Sequence, residues 1–160
     1  MTTFFAYFQS PVGTLLLMAT ERGLSGLHME KDGTAFQNAS RDWVRDDARF
    51  SGINENLNEY FSGRRKEFEV PIDLRGTPFQ MSVWSALRTI PFGATISYAE
   101  LARRIGDPKA VRAVGQANNR NPISIIVPCH RVIGADGSLT GYGGGIERKR
   151  FLIELEAGAT

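Results

Sequence analysis

The sequence predicts an α+β protein with two dissimilar lobes, and three observations carry that reading. The N-terminal part alternates short apolar runs with tight-turn residues, the pattern of strands. The C-terminal half carries N-cap and proline signals at close intervals, the pattern of short helices. Between them RGTP marks a boundary, so the chain divides into 1–75 and 76–160.

In the first lobe, TFFAYFQ, TLLLMAT and LSGLHME are strands separated by SPVG and ERG, both good turn chemistry. Residues Thr34 to Phe50 are polar, with Phe36, Trp43 and Val44 scattered among them, and are expected to form a helix. INENLNEYF places Ile53, Leu57, Tyr60 and Phe61 at helical spacing, with Gly63 as the stop. FEVPIDL fits only an edge strand, because Pro71 has no N–H for a central ladder.

The second lobe opens with TPFQ, where Thr77 is an N-cap, Pro78 the first helical residue and Gln80 the partner of a capping box. Phe79, Val83, Trp84, Leu87 and Ile90 then share a face. SYAE repeats the signal with Ser97 and Glu100, and that helix stops at Gly106. Asp107 and Pro108 start the next, which runs to about Asn118 and makes a helix-turn-helix with its predecessor. A last helix spans Ile146 to Glu156, with Ile146, Phe151, Leu152 and Leu155 inward and Arg148, Lys149 and Arg150 exposed.

Composition narrows the function. Apolar residues at 42% and charged residues at 22% are ordinary for a globular protein. No apolar run approaches the ~20 residues that span a bilayer, and MTTFFAYFQSPVG lacks a signal peptide's basic start and cleavage site. A cytoplasmic location without a membrane partner is expected. One cysteine cannot close an internal disulfide, and with two histidines it is too little for a closed zinc site, so neither metal nor cofactor is expected. Residues 1–75 carry 9 Lys+Arg against 11 Asp+Glu, whereas residues 76–160 carry 10 against 6. The basic half suits a polyanion.

The single cysteine lies in NPISIIVPCHRVIG, after an apolar run, Ile123 to Val127, that reads as a buried strand. A thiol reacts as thiolate, and His130 and Arg131 supply a base and a positive charge within two residues of Cys129. Side chains alternate in an extended segment, so His130 would need a turn, a water or a third group to reach the sulfur, and a distant carboxylate to set its tautomer. Residue types alone leave three readings open: a catalytic thiol, a buried structural cysteine, or a Cys/His hydrolase.

PCHRVIG with NPISII before it closely resembles the signature of the O6-alkylguanine-DNA alkyltransferases, the methylated-DNA–protein-cysteine methyltransferases. The resemblance continues through TPFQMSVWSALRTIPFGATISYAELARRIGDPKAVRAVGQANNRNP and GYGGGIERKRFLIELE, covering the chain from Thr77 onward. It implies a ribonuclease-H-like sheet in the first lobe, and DNA binding and alkyl acceptance in the second. It further implies DNA repair by irreversible, stoichiometric transfer of an alkyl group from O6-alkylguanine, with O4-alkylthymine left open. A DNA-binding lesion sensor or regulator without chemistry is the alternative.

The resemblance also implies roles. Cys129 is the alkyl acceptor, His130 takes its proton through a water, and Glu156 orients the histidine. Asn121 braces the turn that carries the cysteine, and Tyr98 gives a proton toward the departing guanine. Arg112 fills the gap left by the flipped nucleotide, while Ala113, Gly115 and Ala117 press the helix into the minor groove of double-stranded DNA. Val132, Tyr142, Gly143 and Gly144 wall the base pocket, Gly143 replacing the serine or alanine often found there. A monomer is expected, with cooperative loading on DNA left open.

Overall fold

In the computed structural model, residues 1–30, 42–142 and 144–158 are described. The chain separates into two compact units, Met1–Leu74 and Arg75–Thr160.

The first unit is built on a four-stranded sheet. Strands β1 (Phe4–Ser10), β2 (Gly13–Thr20) and β3 (Gly23–Met29) form an antiparallel meander, and β4 (Val44–Arg45) adds to β1 in parallel, giving the order β3-β2-β1-β4. Both hairpins close through two-residue loops, Ser10 pairing with Gly13 and Thr20 with Gly23. Gly13 takes φ 99°, a conformation that an L side chain resists. The central strand buries Leu15, Leu16 and Leu17 in succession, so both of its faces are covered. Helix α1 (Ser51–Phe61) buries Ile53, Leu57 and Tyr60, as their spacing predicts.

Two expectations for this unit change. Of the helix expected from Thr34 to Phe50, residues 34–41 lie outside the described residues, and the remainder is not an α-helix. Val44 and Arg45 instead pair with Phe4 and Phe5, Trp43 packs 6.2 Å from the Phe5 ring, and Asp47–Phe50 form a 3-10 turn. Pairing with an exposed sheet edge outweighs the helical tendency of a polar segment. FEVPIDL contributes a single parallel bridge, Ile72 to Leu24, and Pro71 offers its carbonyl to the Leu24 N–H at 2.9 Å.

The second unit carries helices α2 (Pro78–Leu87), α3 (Tyr98–Arg104), α4 (Val111–Asn119) and α5 (Ile146–Glu156), with a short parallel pair, β5 (Ile96–Ser97) and β6 (Val132–Ile133). Helix α2 starts with the full capping box of Thr77 and Gln80. Its Trp84 Nε1–H donates to the Ala117 carbonyl at 2.9 Å, a buried bond that ties α2 to α4. Helix α3 has only half of the expected box. The Ser97 hydroxyl accepts from the Glu100 N–H, but the Glu100 carboxylate pairs with Arg103 and Arg104. Gly106 ends the helix-capping turn at φ 81°.

Helix α4 begins at Val111, with Ala110 as N-cap, and not at Pro108. Asp107 to Ala110 form a turn first, the Ala110 N–H donating to the Asp107 carbonyl at 3.0 Å. Ile123, Ile125 and Val127 are buried, but the segment 123–127 is not a strand. It is a succession of tight turns in which Ile125 sits at φ 74°, rare for a β-branched residue. On α5, Leu152 and Leu155 are buried as predicted, but Ile146 is 47% exposed and Lys149 fully buried.

Candidate active site

Cys129, His130 and Arg131 form one 3-10 turn between these tight turns and β6. Successive side chains of such a turn diverge by about 120°, less than the opposition of a strand. That geometry lets His130 and Arg131 reach the same carboxylate, Glu156 at the end of α5. His130 Nε2 lies 2.7 Å from Glu156 Oε2. Arg131 Nε donates to Oε1 at 2.7 Å and Nη2 to Oε2 at 3.1 Å, while Nη1 donates to the Ile90 carbonyl at 2.6 Å. All three side chains are buried.

Burial alone would raise the Glu156 carboxyl, but its bonds to His130 and Arg131 outweigh that cost and hold it down at about 2. Glu156 is therefore a carboxylate at neutral pH, and an anion 2.7 Å from Nε2 requires the imidazole proton to be on Nε2. His130 Nδ1 is then the ring's lone-pair nitrogen, buried and without a protein partner among the described residues. Burial lowers the imidazole below its ordinary value, against the pull of Glu156, so His130 rests neutral.

Two asparagines shape the turn. Asn121 Nδ2 donates to the Val127 carbonyl at 2.7 Å, and Asn121 Oδ1 accepts from the Ile123 N–H at 3.0 Å. The same Val127 carbonyl accepts from the Cys129 N–H at 2.8 Å, so Asn121 holds the peptide that aims the cysteine. Asn118, at the end of α4, donates to the Cys129 carbonyl at 3.4 Å. Burial pushes the thiol up, while Asn121, the Lys149 charge and Ser124 pull it down. At rest the sulfur keeps its proton.

Lys149 is the residue that sequence reasoning misplaced. Its Nζ donates to the Thr140 carbonyl at 2.9 Å, and the Tyr98 hydroxyl donates to that same carbonyl at 3.0 Å. Burial lowers the ammonium to about 8, against the opposite pull of Cys129. The cation acting on the thiol is thus Lys149, while Arg131, the expected one, serves Glu156. The available signal was helical spacing: Lys149, Leu152 and Glu156 stand at i, i+3 and i+7 on one stripe of α5.

Of the remaining expected residues, Tyr98 opens α3 directly after the Ser97–Ile133 pairing, which brings it beside the strand that leaves the cysteine turn. Burial raises its phenol, partly offset by the Thr140 bond, so it is a neutral donor. Gly115 lies where an added Cβ would meet the Tyr98 ring at 3.8 Å. Arg112 and Ala113 are exposed on α4, whereas Ala117 is buried, so the expected small-residue face is not exposed along its whole length. Val132 is fully buried in β6. Burial raises the Tyr142 phenol well above its ordinary value, and ionising Cys129 raises it further. Gly144 sits in the turn before α5, and Gly143 lies outside the described residues. Among the described residues, no group of three or more His, Cys, Asp or Glu gathers to hold a metal ion.

Residues 78–158 match the 6-O-methylguanine DNA methyltransferase DNA binding domain, and residues 3–74 match the ribonuclease-like domain of the same proteins. The chain belongs to the methylated-DNA–protein-cysteine methyltransferase family. It is 55% identical over 147 residues to the methylated-DNA–protein-cysteine methyltransferase of Mycobacterium bovis, covering 92% of this chain and 88% of that one. The enzyme of the same name from Methanosarcina acetivorans is 50% identical over 153 residues, covering 96% and 97%. A crystal structure of Mycobacterium tuberculosis OGT in complex with DNA superposes with a TM-score of 0.88 at 53% identity, covering 97% of this chain and 93% of that one. The α+β class, with a sheet-based first unit and a helical second, agrees with these relatives. No helix among the described residues is long and apolar enough to cross a membrane.

Proposed function

We propose that this chain repairs DNA by moving an alkyl group from guanine O6 in double-stranded DNA onto Cys129, once per molecule. The observation that carries the reading is the Glu156–His130 pair, a buried anion holding the neutral imidazole with Nδ1 unprotonated, next in sequence to the single thiol. A flipped nucleotide is needed, because the alkyl carbon is out of reach in a stacked duplex.

The proton and electron accounting closes without a cofactor. The thiol proton passes to His130 Nδ1, directly or through a water, and Glu156 stabilises the imidazolium that forms. The sulfur attacks the alkyl carbon, a C–S bond forms, and the C–O6 pair stays with the base. Tyr98 donates a proton to that base, which leaves as neutral guanine, and the phenolate then regains a proton from solvent as the His130 imidazolium releases one. Its hydroxyl is engaged by the Thr140 carbonyl, so donation exchanges one acceptor for the other. The thioether has no route back to a thiol, hence one event per molecule. Asn121 holds the turn, Val132, Tyr142 and Gly144 line the base site, and Arg112, Ala113 and Gly115 meet the DNA. The protein acts as a monomer.

Cys129→Ser separates this reading from a DNA-binding sensor without chemistry. With an O6-methylguanine duplex, the variant should bind as the wild type does and accept no methyl group. A variant that retained transfer, or a wild type that bound without transfer, would defeat the proposal.

A further inference from the structure

Both oxygens of Glu156 are taken by Arg131, and one of them is shared with His130. The third guanidinium bond, to the Ile90 carbonyl, anchors Arg131 to the segment after α2, so one side chain links α5, the cysteine turn and the α2 end. Arg131 thus makes its three bonds to Glu156 and Ile90, and none to the thiol that precedes it by two residues. A structural ion pair would need no histidine on the same carboxylate, and a lone Glu–His pair would leave a buried anion answered by the imidazole.

We propose that Arg131 is a positioning residue of the transfer reaction: it fixes the carboxylate plane of Glu156 and balances its charge, so that His130 rests neutral with Nε2 protonated and Nδ1 free to take the thiol proton. The inference rests on the reaction proposed above. The charged groups acting on His130 are Glu156 and Lys149 from α5 and Arg131 from its own turn. Tyr98 of α3 and Tyr142 of the neighbouring loop interact electrostatically with Cys129, and the α2 side presents the Ile90 carbonyl. Burial first, then Arg131 and Lys149, disfavour the imidazolium, and Glu156 favours it. Removing Arg131 tips that balance toward Glu156, and the proton settles on Nδ1 before the thiol can give its own. The base is lost while every residue that touches the substrate is retained.

The test is the single-turnover rate of methyl transfer from an O6-methylguanine duplex, from about pH 6 to about pH 9, for wild type, Arg131→Met and Arg131→Lys. Arg131→Met weakens the general base, so it should be slower by about tenfold or more near neutral pH, and it should regain rate as the pH rises because His130 holds its proton longer. Arg131→Lys keeps the charge without the fork and should follow the wild-type pH limb more closely. A constant ratio of Arg131→Met to wild type at every pH, with wild type active, overturns this inference alone. An inert wild type overturns the reaction and the inference together.

If Arg131→Met does not fold, 15N NMR of histidine-labelled wild type and Arg131→Gln decides, since His28 is the one other histidine: His130 of Arg131→Gln should hold its second proton to higher pH, and coincident titration overturns the inference. The neutral Nε2–H tautomer of His130 near neutral pH is expected. An imidazolium or an Nδ1–H tautomer overturns the proposal.

Discussion

His130 Nε2 and Glu156 Oε2 meet at 2.7 Å inside the protein, although 25 residues of chain stand between them. The contact depends on two local facts. The cysteine turn is 3-10 and not extended, and α5 ends with its last residue facing inward. Four expectations follow from this pair and its surroundings.

Glu156→Gln should destabilise the protein, because it leaves the buried Arg131 guanidinium without its anion; breaking such a pair costs about 3–5 kcal/mol. Glu156 is held at about 2 in the folded state, below its unfolded value. Its stabilisation is therefore complete above the unfolded value and is lost as pH falls toward 2, a swing of about 3 kcal/mol. Urea unfolding across that acid range should show the wild-type advantage over Glu156→Gln shrinking as pH drops.

Lys149→Met should make Cys129 a poorer nucleophile. The cation that pulls the thiol down is gone, so burial acts with less opposition. The pH profile of Cys129 alkylation by iodoacetamide should move to higher pH, and Lys149→Arg should restore it in part. In the wild type the lysine itself loses charge as pH rises through about 8, so its help fades above that point. An unchanged alkylation profile in Lys149→Met would count against the electrostatic role.

Asn121→Ala removes two buried hydrogen bonds from the turn that aims Cys129. The change orphans the Ile123 N–H, at about 1–3 kcal/mol, and takes from the Val127 carbonyl one of its two donors, at about 1 kcal/mol, so a loss of about 2–4 kcal/mol in chemical unfolding is expected. Methyl transfer should fall further than the folded fraction does, because Val127 also holds the Cys129 N–H. Equal losses of stability and activity would reduce Asn121 to a structural role.

Arg112→Ala should behave in the opposite way. The residue is exposed, so stability should change by less than about 0.5 kcal/mol. Transfer from a duplex should slow, whereas transfer from free O6-methylguanine, which needs no flipping, should not. Equal slowing on both substrates would remove Arg112 from the DNA-handling surface.

Much of this was legible in the residues. Caps at Thr77 and Ser97, the glycine stop at Gly106 and the three N-terminal strands announce themselves locally, because each rests on short-range chemistry. What escaped depends on tertiary context. An apolar run such as SIIV has no periodicity to distinguish a strand from a chain of turns, and the left-handed Ile125 is buried between Ile123 and Val127, the two residues whose backbone Asn121 binds. Pro108 is a sound first helical residue, yet the chain spends a turn before α4 begins. Lys149 reads as solvated by type, and only the stripe it shares with Leu152 and Glu156 argues otherwise. The Arg131 charge is plain in the sequence, but its partner is Glu156 and not the adjacent thiol. Adjacency in sequence says little about which side chains meet in a 3-10 turn.

The most direct test is peptide mass mapping of the protein after reaction with excess O6-methylguanine duplex. The account predicts one methyl group per molecule, carried on the Cys129 peptide as a thioether, with no further accumulation on longer incubation. Repeated turnover, a methyl group on any other residue, or an unmodified Cys129 would contradict it.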